Sequence, residues 1–363
     1  MSLPFNLAFS GISSGLQTKN ATAGGGGVGG WVELGRTTLG SAASTITVSS
    51  LANKRYLMML VNTSHSVDSA QDLIRVGNGS IDSGSNYSNR YQINGGADGT
   101  SVSDTEMYPF QTQTLANQSE FGISYFSNYS TKEKLVIHNT VHGSTIGAGT
   151  APARREMVSK WANTSNVIDT VRSVVSSGNL TSGSEVVVLG WDPADTHTNN
   201  FWTELASVNW SSGATIDSGV FTAKKYLWIQ AYLDSDTTAG YDRIRVGNAT
   251  IDTAANYSGR YSIDGGADGT QVSSADNFFP SDGSGSASRK VFTNIFVVNV
   301  SANEKLFIGS SIFYYTAGAG TAPKRTEWVM KWANTSNQIN RVDFNRSAGN
   351  YEGSTTLRVW GSD

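Results

Sequence analysis

Apolar residues along this chain occur in short groups, and Gly, Ser and Asn separate each group from the next. Val, Ile, Phe, Tyr and Trp are frequent in these groups, which is typical of β-strands. No segment shows a long helical period rich in Ala, Leu, Glu and Lys. The pattern predicts an all-β protein whose short strands suit a β-sandwich of the jelly-roll type. The clearest strand-sized groups are residues 45–51, 55–62, 134–141, 184–190, 225–233, 292–300, 304–315 and 355–361.

The same series of strand and turn signals occurs twice along the chain. Residues 74–103 and residues 244–273 are identical at about two-thirds of their positions without a gap. A second block, residues 147–166, returns as residues 318–337 in the same order and at nearly the same spacing. A chain of 363 residues is also long enough for two domains of about 160 residues each. The sequence therefore predicts two tandem, homologous β-sandwich domains.

The predicted domain order begins with an arm. Residues 1–30 lie outside the repeats and form an N-terminal arm whose Gly-rich tether is ATAGGGGVGG. In the arm, Leu3, Phe5, Leu7 and Phe9 alternate with small or polar residues, as in a strand with one buried face. The arm is either a frayed tail or a segment that docks on a neighbouring subunit. The remaining predicted units are repeat 1 at residues 31–190, a linker at 191–200, and repeat 2 at 201–363.

Composition narrows the classes of partner. The net charge of −3, without any lysine-rich stretch, argues against nucleic acid, because phosphate binding needs clustered Lys and Arg. No apolar run approaches the length of a membrane span, so no membrane partner is expected. The N-terminus lacks the basic and apolar regions of a signal peptide, so export by the general secretory route is not expected. Disulfides are excluded because the chain contains no Cys.

Candidate metal ligands and catalytic groups are few. The four histidines, His65, His138, His142 and His197, have no His counterpart in the other repeat, which favours surface or packing roles. Three Asp residues recur, and turn structure is favoured for them over cation binding or glycoside hydrolysis. The motif of a phosphate-binding loop is missing from the sequence. We therefore predict no metal site, no cofactor and no enzymatic activity. The recurring pairs are Asp72 and Asp242, Asp82 and Asp252, and Asp98 and Asp268.

One repeated element, NYSxRY followed by GGADGT, carries the candidate binding residues. Tyr, Asn and Arg suit recognition of sugars or proteins. Flat aromatic rings stack on the ligand, and a guanidinium group donates two parallel hydrogen bonds to hydroxyls or carboxylates. The alternative is that these side chains hold a loop at one end of each sandwich in a hydrogen-bonded cluster. Binding or loop-structuring candidates are Arg75, Asn86, Tyr87, Arg90 and Asp98 in repeat 1, and Arg245, Asn256, Tyr257, Arg260 and Asp268 in repeat 2.

At these residues the chain resembles β-sandwich virion and tail-fibre-like structural proteins of tailed and marine bacteriophages. The shared elements are IRVGN, SGSNYSNRY and WANTSNVIDTV in repeat 1, IRVGN, AANYSGRY and WANTSNQINRV in repeat 2, and the closing strands SGSEVVVLG and EGSTTLRVWG. The resemblance spans nearly all of residues 31–361. It implies a virion location and a structural role without enzymatic activity.

Together these observations favour a non-enzymatic structural protein of a virus particle, as a phage tail or fibre component or a capsid-surface decoration protein. Homo-oligomers are expected, with a trimer favoured, because surfaces poor in charge are easily desolvated against a neighbour. Two alternatives stay open: a double jelly-roll capsid shell protein, and a carbohydrate-binding adhesin. The expected partners are other copies of the chain and other virion proteins. A host-surface glycan is a third partner, which the sequence leaves open.

Overall fold

The computed structural model describes residues 30–113, 115–193, 195, 200–274, 281, 289–314 and 316–363. Leu3, Phe5, Leu7 and Phe9 of the predicted arm, and His197 of the predicted linker, lie outside these residues. The described residues form strands, turns and bends, and no helix among them has the length and apolarity to cross a membrane.

Repeat 1 contains twelve strands among the described residues. They are β1 (Val32–Thr38), β2 (Thr45–Val48), β3 (Tyr56–Ser64), β4 (Asp72–Asn78), β5 (Ser80–Ile81), β6 (Tyr87–Ile93), β7 (Gly99–Asp104), β8 (Ser119–Ser127), β9 (Lys134–His142), β10 (Ala153–Trp161), β11 (Thr170–Val175) and β12 (Glu185–Trp191).

Repeat 2 supplies twelve more described strands, in the same succession of long and short elements. They are β13 (Thr203–Asn209), β14 (Thr215–Asp217), β15 (Tyr226–Asp234), β16 (Asp242–Asn248), β17 (Thr250–Ile251), β18 (Tyr257–Ile263), β19 (Gly269–Ser274), β20 (Lys290–Val298), β21 (Lys305–Tyr314), β22 (Lys324–Trp332), β23 (Arg341–Arg346) and β24 (Thr356–Ser362).

Each repeat is a sandwich of one large and one small antiparallel sheet. In repeat 1 the eight-stranded sheet has the order β1-β12-β3-β8-β9-β10-β6-β7, and the four-stranded sheet has the order β2-β11-β4-β5. Repeat 2 has the same two orders, β13-β24-β15-β20-β21-β22-β18-β19 and β14-β23-β16-β17. Even the register shift in the first strand recurs, between Glu33 and Gly35 and between Glu204 and Ala206. The prediction of two tandem, homologous β-sandwiches is confirmed.

The core of each sandwich lies between its large and its small sheet. In repeat 1, Ile74 and Val76 of β4 and Val171 of β11 face Met59 and Val186 of the large sheet, and all five are buried. Tyr257, Trp328 and Trp332 provide large rings in the corresponding core of repeat 2. Alternate residues of each strand point into this core, as the period of a strand requires.

A third apolar layer joins the two repeats. Residues on the outer faces of both large sheets pack against each other, so the chain stacks its sheets in the order small, large, large, small. This layer explains why all five residues of LMMLV, Leu57 to Val61, are buried, since one face of β3 meets the small sheet and the other meets repeat 2. The layer also includes Trp202, Trp228 and Trp360 of repeat 2.

The histidines of β9 lie inside the sandwich of repeat 1, in agreement with a packing role and not with a surface role. His138 is fully buried, and its Nδ1 lies 2.7 Å from the Ser124 hydroxyl. Burial, with a smaller effect of Arg155, lowers the pKa of His138 to about 3. Burial, with smaller effects of His65, Arg260 and Lys331, lowers the pKa of His142 to about 4.

Two phenylalanines on one face of β20 provide a test of the layer between the repeats. Phe296 is 6% exposed and stacks on Trp228 at a ring-centroid distance of 5.4 Å, whereas Phe292 is 44% exposed. We expect Phe296→Ala to lower the free energy of unfolding by about 3–5 kcal/mol through the cavity that it leaves. Phe292→Ala, the matched control, should cost about 0.5 kcal/mol in the monomeric chain, as expected of a surface site. Urea denaturation measures both values, and equal losses would contradict the layered packing.

Candidate functional site

The NYSxRY element lies on β6 in repeat 1 and on β18 in repeat 2. Tyr87 is the first residue of β6, and its hydroxyl crosses to the small sheet, where it accepts from Val76 N (3.1 Å) and lies 2.9 Å from the carbonyl oxygens of Val76 and Asp82. Tyr257 makes the same contacts with Val246 and Asp252. Both tyrosines are fully buried. Their role is therefore to join the two sheets of their own sandwich.

Asn86 belongs to the turn that precedes Tyr87. Its Nδ2 donates to Asp82 Oδ2 (2.9 Å), which also accepts from Trp161 Nε1 (2.8 Å), while Gly84 N donates to Asp82 Oδ1 (2.8 Å). Burial alone would raise the pKa of Asp82, but these three hydrogen bonds hold it below its usual value. Asn256, Asp252 and Trp332 repeat the arrangement in the second sandwich. These residues structure a turn.

The remaining candidates are arginines that pair with carboxylates. Arg75 donates twice to Glu106 Oε2 (2.6 and 3.0 Å), and Arg245 donates to both oxygens of Asp343 (2.6 and 3.0 Å). Only the Arg75–Glu106 pair has a described hydrogen bond to the NYSxRY element, in which Asn89 Nδ2 donates to Glu106 O (3.1 Å). The predicted single cluster therefore divides into separate groups, because Asn86 and Asn256 bind the turn in front of the strand while the arginines bind elsewhere.

Arg90 with Asp98 and Arg260 with Asp268 are the same pair in two environments. In repeat 1 the side chains are 59% and 52% exposed and lie 3.3 Å apart. In repeat 2 they are 20% and 3% exposed, because repeat 1 covers them. Arg154 of repeat 1 donates to both oxygens of Asp268 (2.6 and 3.0 Å), and Arg260 Nε donates to Pro152 O (3.0 Å). The element is thus part of the contact between the repeats.

A loop of repeat 1, residues 143–152, receives further polar contacts from repeat 2. Lys331 Nζ of repeat 2 donates to Gly143 O (2.8 Å) and to Thr145 O, and Glu304 Oε1 accepts from Gly147 N (2.6 Å). Two further hydrogen bonds join Ser258 Oγ to Thr150 O (3.1 Å) and Ser273 N to Ala148 O (2.8 Å). Repeat 2 therefore holds this loop by its backbone.

The two repeats use different surfaces in this contact. Repeat 1 contributes what we call the loop face: Leu60, Phe121, Ile123, Val141 and the loop 143–152. Repeat 2 contributes what we call the clamp face: Trp228, Phe296, Leu306, Ile308, Val329, Glu304, Lys331, Ser258, Arg260 and Asp268. Most residues of the two faces occupy different positions of the common fold, so the contact is largely heterologous. Two pairs of equivalent positions, Met58 with Trp228 and Leu189 with Trp360, lie in the layer from both repeats.

One face of each kind is left partly exposed in the chain. The clamp face of repeat 1 consists of the positions equivalent to those above, namely Met58, Tyr125, Leu135, Ile137, Val158, Glu133, Lys160, Ser88, Arg90 and Asp98. Leu135, Ile137 and Val158 are exposed there, whereas Met58 is buried in the apolar layer and Tyr125 packs against that layer. The loop face of repeat 2 contains Gln230, Phe292, Asn294, Ile312 and the loop residues 316–323, and both Phe292 and Ile312 are exposed.

Comparison with known proteins yields little beyond this geometry. No protein-family model matches the sequence, and no curated protein matches it. Domains LG4-5 of the mouse laminin alpha1 chain align over 93% of this chain and 92% of that chain, at 10% identity and a TM-score of 0.16. The LG1-3 region of the laminin alpha2 chain aligns over 88% of this chain and 64% of that chain, at 7% identity and a TM-score of 0.20. Likenesses this weak carry no argument about function.

The buried carboxylate of the contact can be tested against its exposed counterpart. We expect Asp268→Asn to destabilise the chain by about 3–5 kcal/mol, because Arg154 and Arg260 lose the charge that compensates them in a buried site. Asp98→Asn is the matched control and should change stability by about 0.5 kcal/mol or less, since that pair is exposed. Differential scanning calorimetry measures both. A melting temperature for Asp268→Asn equal to that of the control would refute a stabilising role for the contact.

Proposed function

We propose that this chain is a non-enzymatic structural protein of a virus particle, at a tail, fibre or capsid surface, that assembles with copies of itself head to tail. In this assembly the clamp face of repeat 1 in one chain binds the loop face of repeat 2 in the next. The resemblance of the repeated motifs to phage structural proteins supports the virion role. The observation that carries the assembly is the largely heterologous contact within the chain, which leaves apolar residues exposed on one face of each kind, Leu135, Ile137 and Val158 on repeat 1 and Phe292 and Ile312 on repeat 2.

The internal contact serves as a template for the contact between chains. Lys160 and Glu133 occupy the positions of Lys331 and Glu304, and they form an exposed pair at 3.1 Å. In the assembly Lys160 would donate to the carbonyl groups of Tyr314 and Thr316, and Glu133 would accept from Gly318 N. Gly318 and Gly147 have similar left-handed backbone angles, with φ of +92° and +88°.

Arg325, at the position of Arg154, and Asp98, at the position of Asp268, line one cavity of the same chain together with Arg154. They are therefore not assigned to the contact between chains. Heterologous contacts generate closed rings or open filaments according to the rotation between units. A trimer would close as a ring of six sandwiches, which suits a shell or a decoration protein.

A carbohydrate-binding adhesin is the second candidate, favoured by one aromatic cavity. A cavity of about 370 Å³ on repeat 1 is lined by Trp31, Tyr56, Tyr125, Leu135 and Trp191. Tyr56 stacks on Trp191 at 5.4 Å, and such rings suit the apolar face of a sugar. A glycan array with the wild-type chain and Trp191→Ala tests this candidate, and reproducible binding that the variant loses would support it.

Two variants test the head-to-tail contact. Ile137→Asp places a carboxylate in the free clamp face, and Phe292→Asp places one in the free loop face. Each should weaken self-association at least about 100-fold, because a buried unpaired charge costs several kcal/mol and each 1.4 kcal/mol is a factor of ten. Sedimentation velocity of the full chain measures association. Val220→Asp, at an exposed position that belongs to neither face, is the control and should assemble like the wild type.

Mixing the two variants identifies the mode of contact. The Ile137→Asp chain keeps an intact loop face, and the Phe292→Asp chain keeps an intact clamp face. An equimolar mixture should therefore form heterodimers and nothing larger. A wild-type chain that stays monomeric, or a mixture that stays monomeric while one single variant still dimerises, would contradict head-to-tail assembly. Mass spectrometry and immunogold microscopy of the purified particle test the virion role separately.

A further inference from the structure

Three titratable side chains meet inside the sandwich of repeat 1. His65 follows β3, Asp72 begins β4 and Glu120 lies in β8, and all three are fully buried. His65 Nε2 lies 3.3 Å from Glu120 Oε2 and 3.7 Å from Asp72 Oδ1. One nitrogen or oxygen atom from each of the three side chains lies within 4.8 Å of the other two. Two carboxylates and an imidazole therefore face a common point between the large and the small sheet.

Repeat 2 shows how the same position is balanced when the protein supplies the positive charge. Asp242 is the counterpart of Asp72, and it is paired with Arg289 at 2.7 Å and Arg346 at 3.6 Å. In repeat 1 the positions of these arginines are occupied by Gln118 and Val175. At this position repeat 1 thus has two buried carboxylates where repeat 2 has one, and it lacks both guanidinium groups. Within the described part of the chain, the only ion pairs of Asp72 and Glu120 are those with His65.

Several buried polar atoms at this point lack hydrogen bonds. Among the described residues, neither oxygen of Glu120 and neither ring nitrogen of His65 has a hydrogen-bond partner, and Gln113 Oε1 has none either. Buried polar atoms are nearly always satisfied, so each exception requires an explanation. Atoms that lie 3.3 Å apart without hydrogen-bond alignment are arranged as ligands around a shared ion would be.

We propose that His65, Asp72 and Glu120 bind one divalent transition-metal ion, for which Zn²⁺ is the best match. Ligands placed tetrahedrally at about 2.0–2.2 Å from Zn²⁺ are separated from one another by about 3.3–3.6 Å. The distances from His65 Nε2 are 3.3 Å, within this range, and 3.7 Å, just above it. Mg²⁺ and Ca²⁺ prefer oxygen ligands, so the imidazole argues against both ions, and two carboxylates neutralise the charge of a divalent ion. Gln113 Oε1 is also buried and without a partner, and it is a candidate fourth donor.

Neighbouring hydroxyl groups orient the carboxylate of Asp72. Ser173 Oγ donates to Asp72 Oδ1 (3.1 Å), and Thr63 Oγ1 donates to Asp72 Oδ2. Outer partners of this kind orient the ligands of metal sites. The three ligands come from both sheets, so the ion would join β4 to β3 and β8. In repeat 2 the arginines around Asp242 perform this task. The site is therefore structural, with no side open to solvent.

The test uses the full chain, stripped with a chelator and reloaded with Zn²⁺. Elemental analysis should find one zinc per chain, and calorimetry should show a higher melting temperature for the loaded chain. Glu120→Gln and His65→Gln should each lower the zinc affinity at least about 10–100-fold. Co²⁺ in place of Zn²⁺ should give the intense visible absorption of a tetrahedral site, and circular dichroism will verify that each variant is folded.

Asp242→Asn in repeat 2 is the matched control, because it removes the equivalent carboxylate and should leave one zinc per chain. The proposal is overturned if the folded wild-type chain binds no zinc, if Glu120→Gln and His65→Gln bind it as tightly as the wild type, or if the chain binds only Ca²⁺. These outcomes do not depend on self-association, which the sedimentation experiments measure.

Discussion

The apolar layer between the two large sheets determines the rest of the architecture. A β-sheet with apolar side chains on both faces must be covered on both sides. In each repeat the small sheet covers one face, and the other repeat covers part of the second face. The layer brings with it the polar contacts at its margin, where Arg154 meets Asp268 and Lys331 reaches the loop 143–152. Without the apolar contact these charged groups would stay in water, because the burial of a charge costs free energy.

Much of the fold follows from local features of the sequence. The strand groups and the duplicated blocks predict two tandem all-β sandwiches, because strand period and turn residues act over short distances. The contact between the repeats was not predictable in the same way. Arg90 and Arg260 lie in nearly identical sequences, yet one is exposed and the other is covered. A local pattern cannot distinguish them, since the difference arises from which end of each sheet meets the partner repeat.

The buried group around His65 shows a second limit of the sequence. Because repeat 2 has no histidine, the sequence favours a packing or surface role for His65. A comparison of the residues that surround His65 with their counterparts in repeat 2 is more informative. Ser235 stands where His65 stands, Val291 stands where Glu120 stands, and Arg289 replaces Gln118. Three coordinated differences at positions far apart in the chain indicate a change in how one buried charge is balanced. Only the fold reveals that these positions are neighbours.

The heterologous contact within one chain has a consequence for the order in which a larger array forms and comes apart. A short linker holds the two repeats at a high effective concentration, so the internal joint forms as the chain folds, whatever the protein concentration. The proposed joint between chains would form by collision. Its loop face would also be more polar, with Gln230 and Asn294 in place of Leu60 and Ile123. An array of this kind would dissociate into intact two-lobed units and would never leave a single sandwich with its inner face open to water.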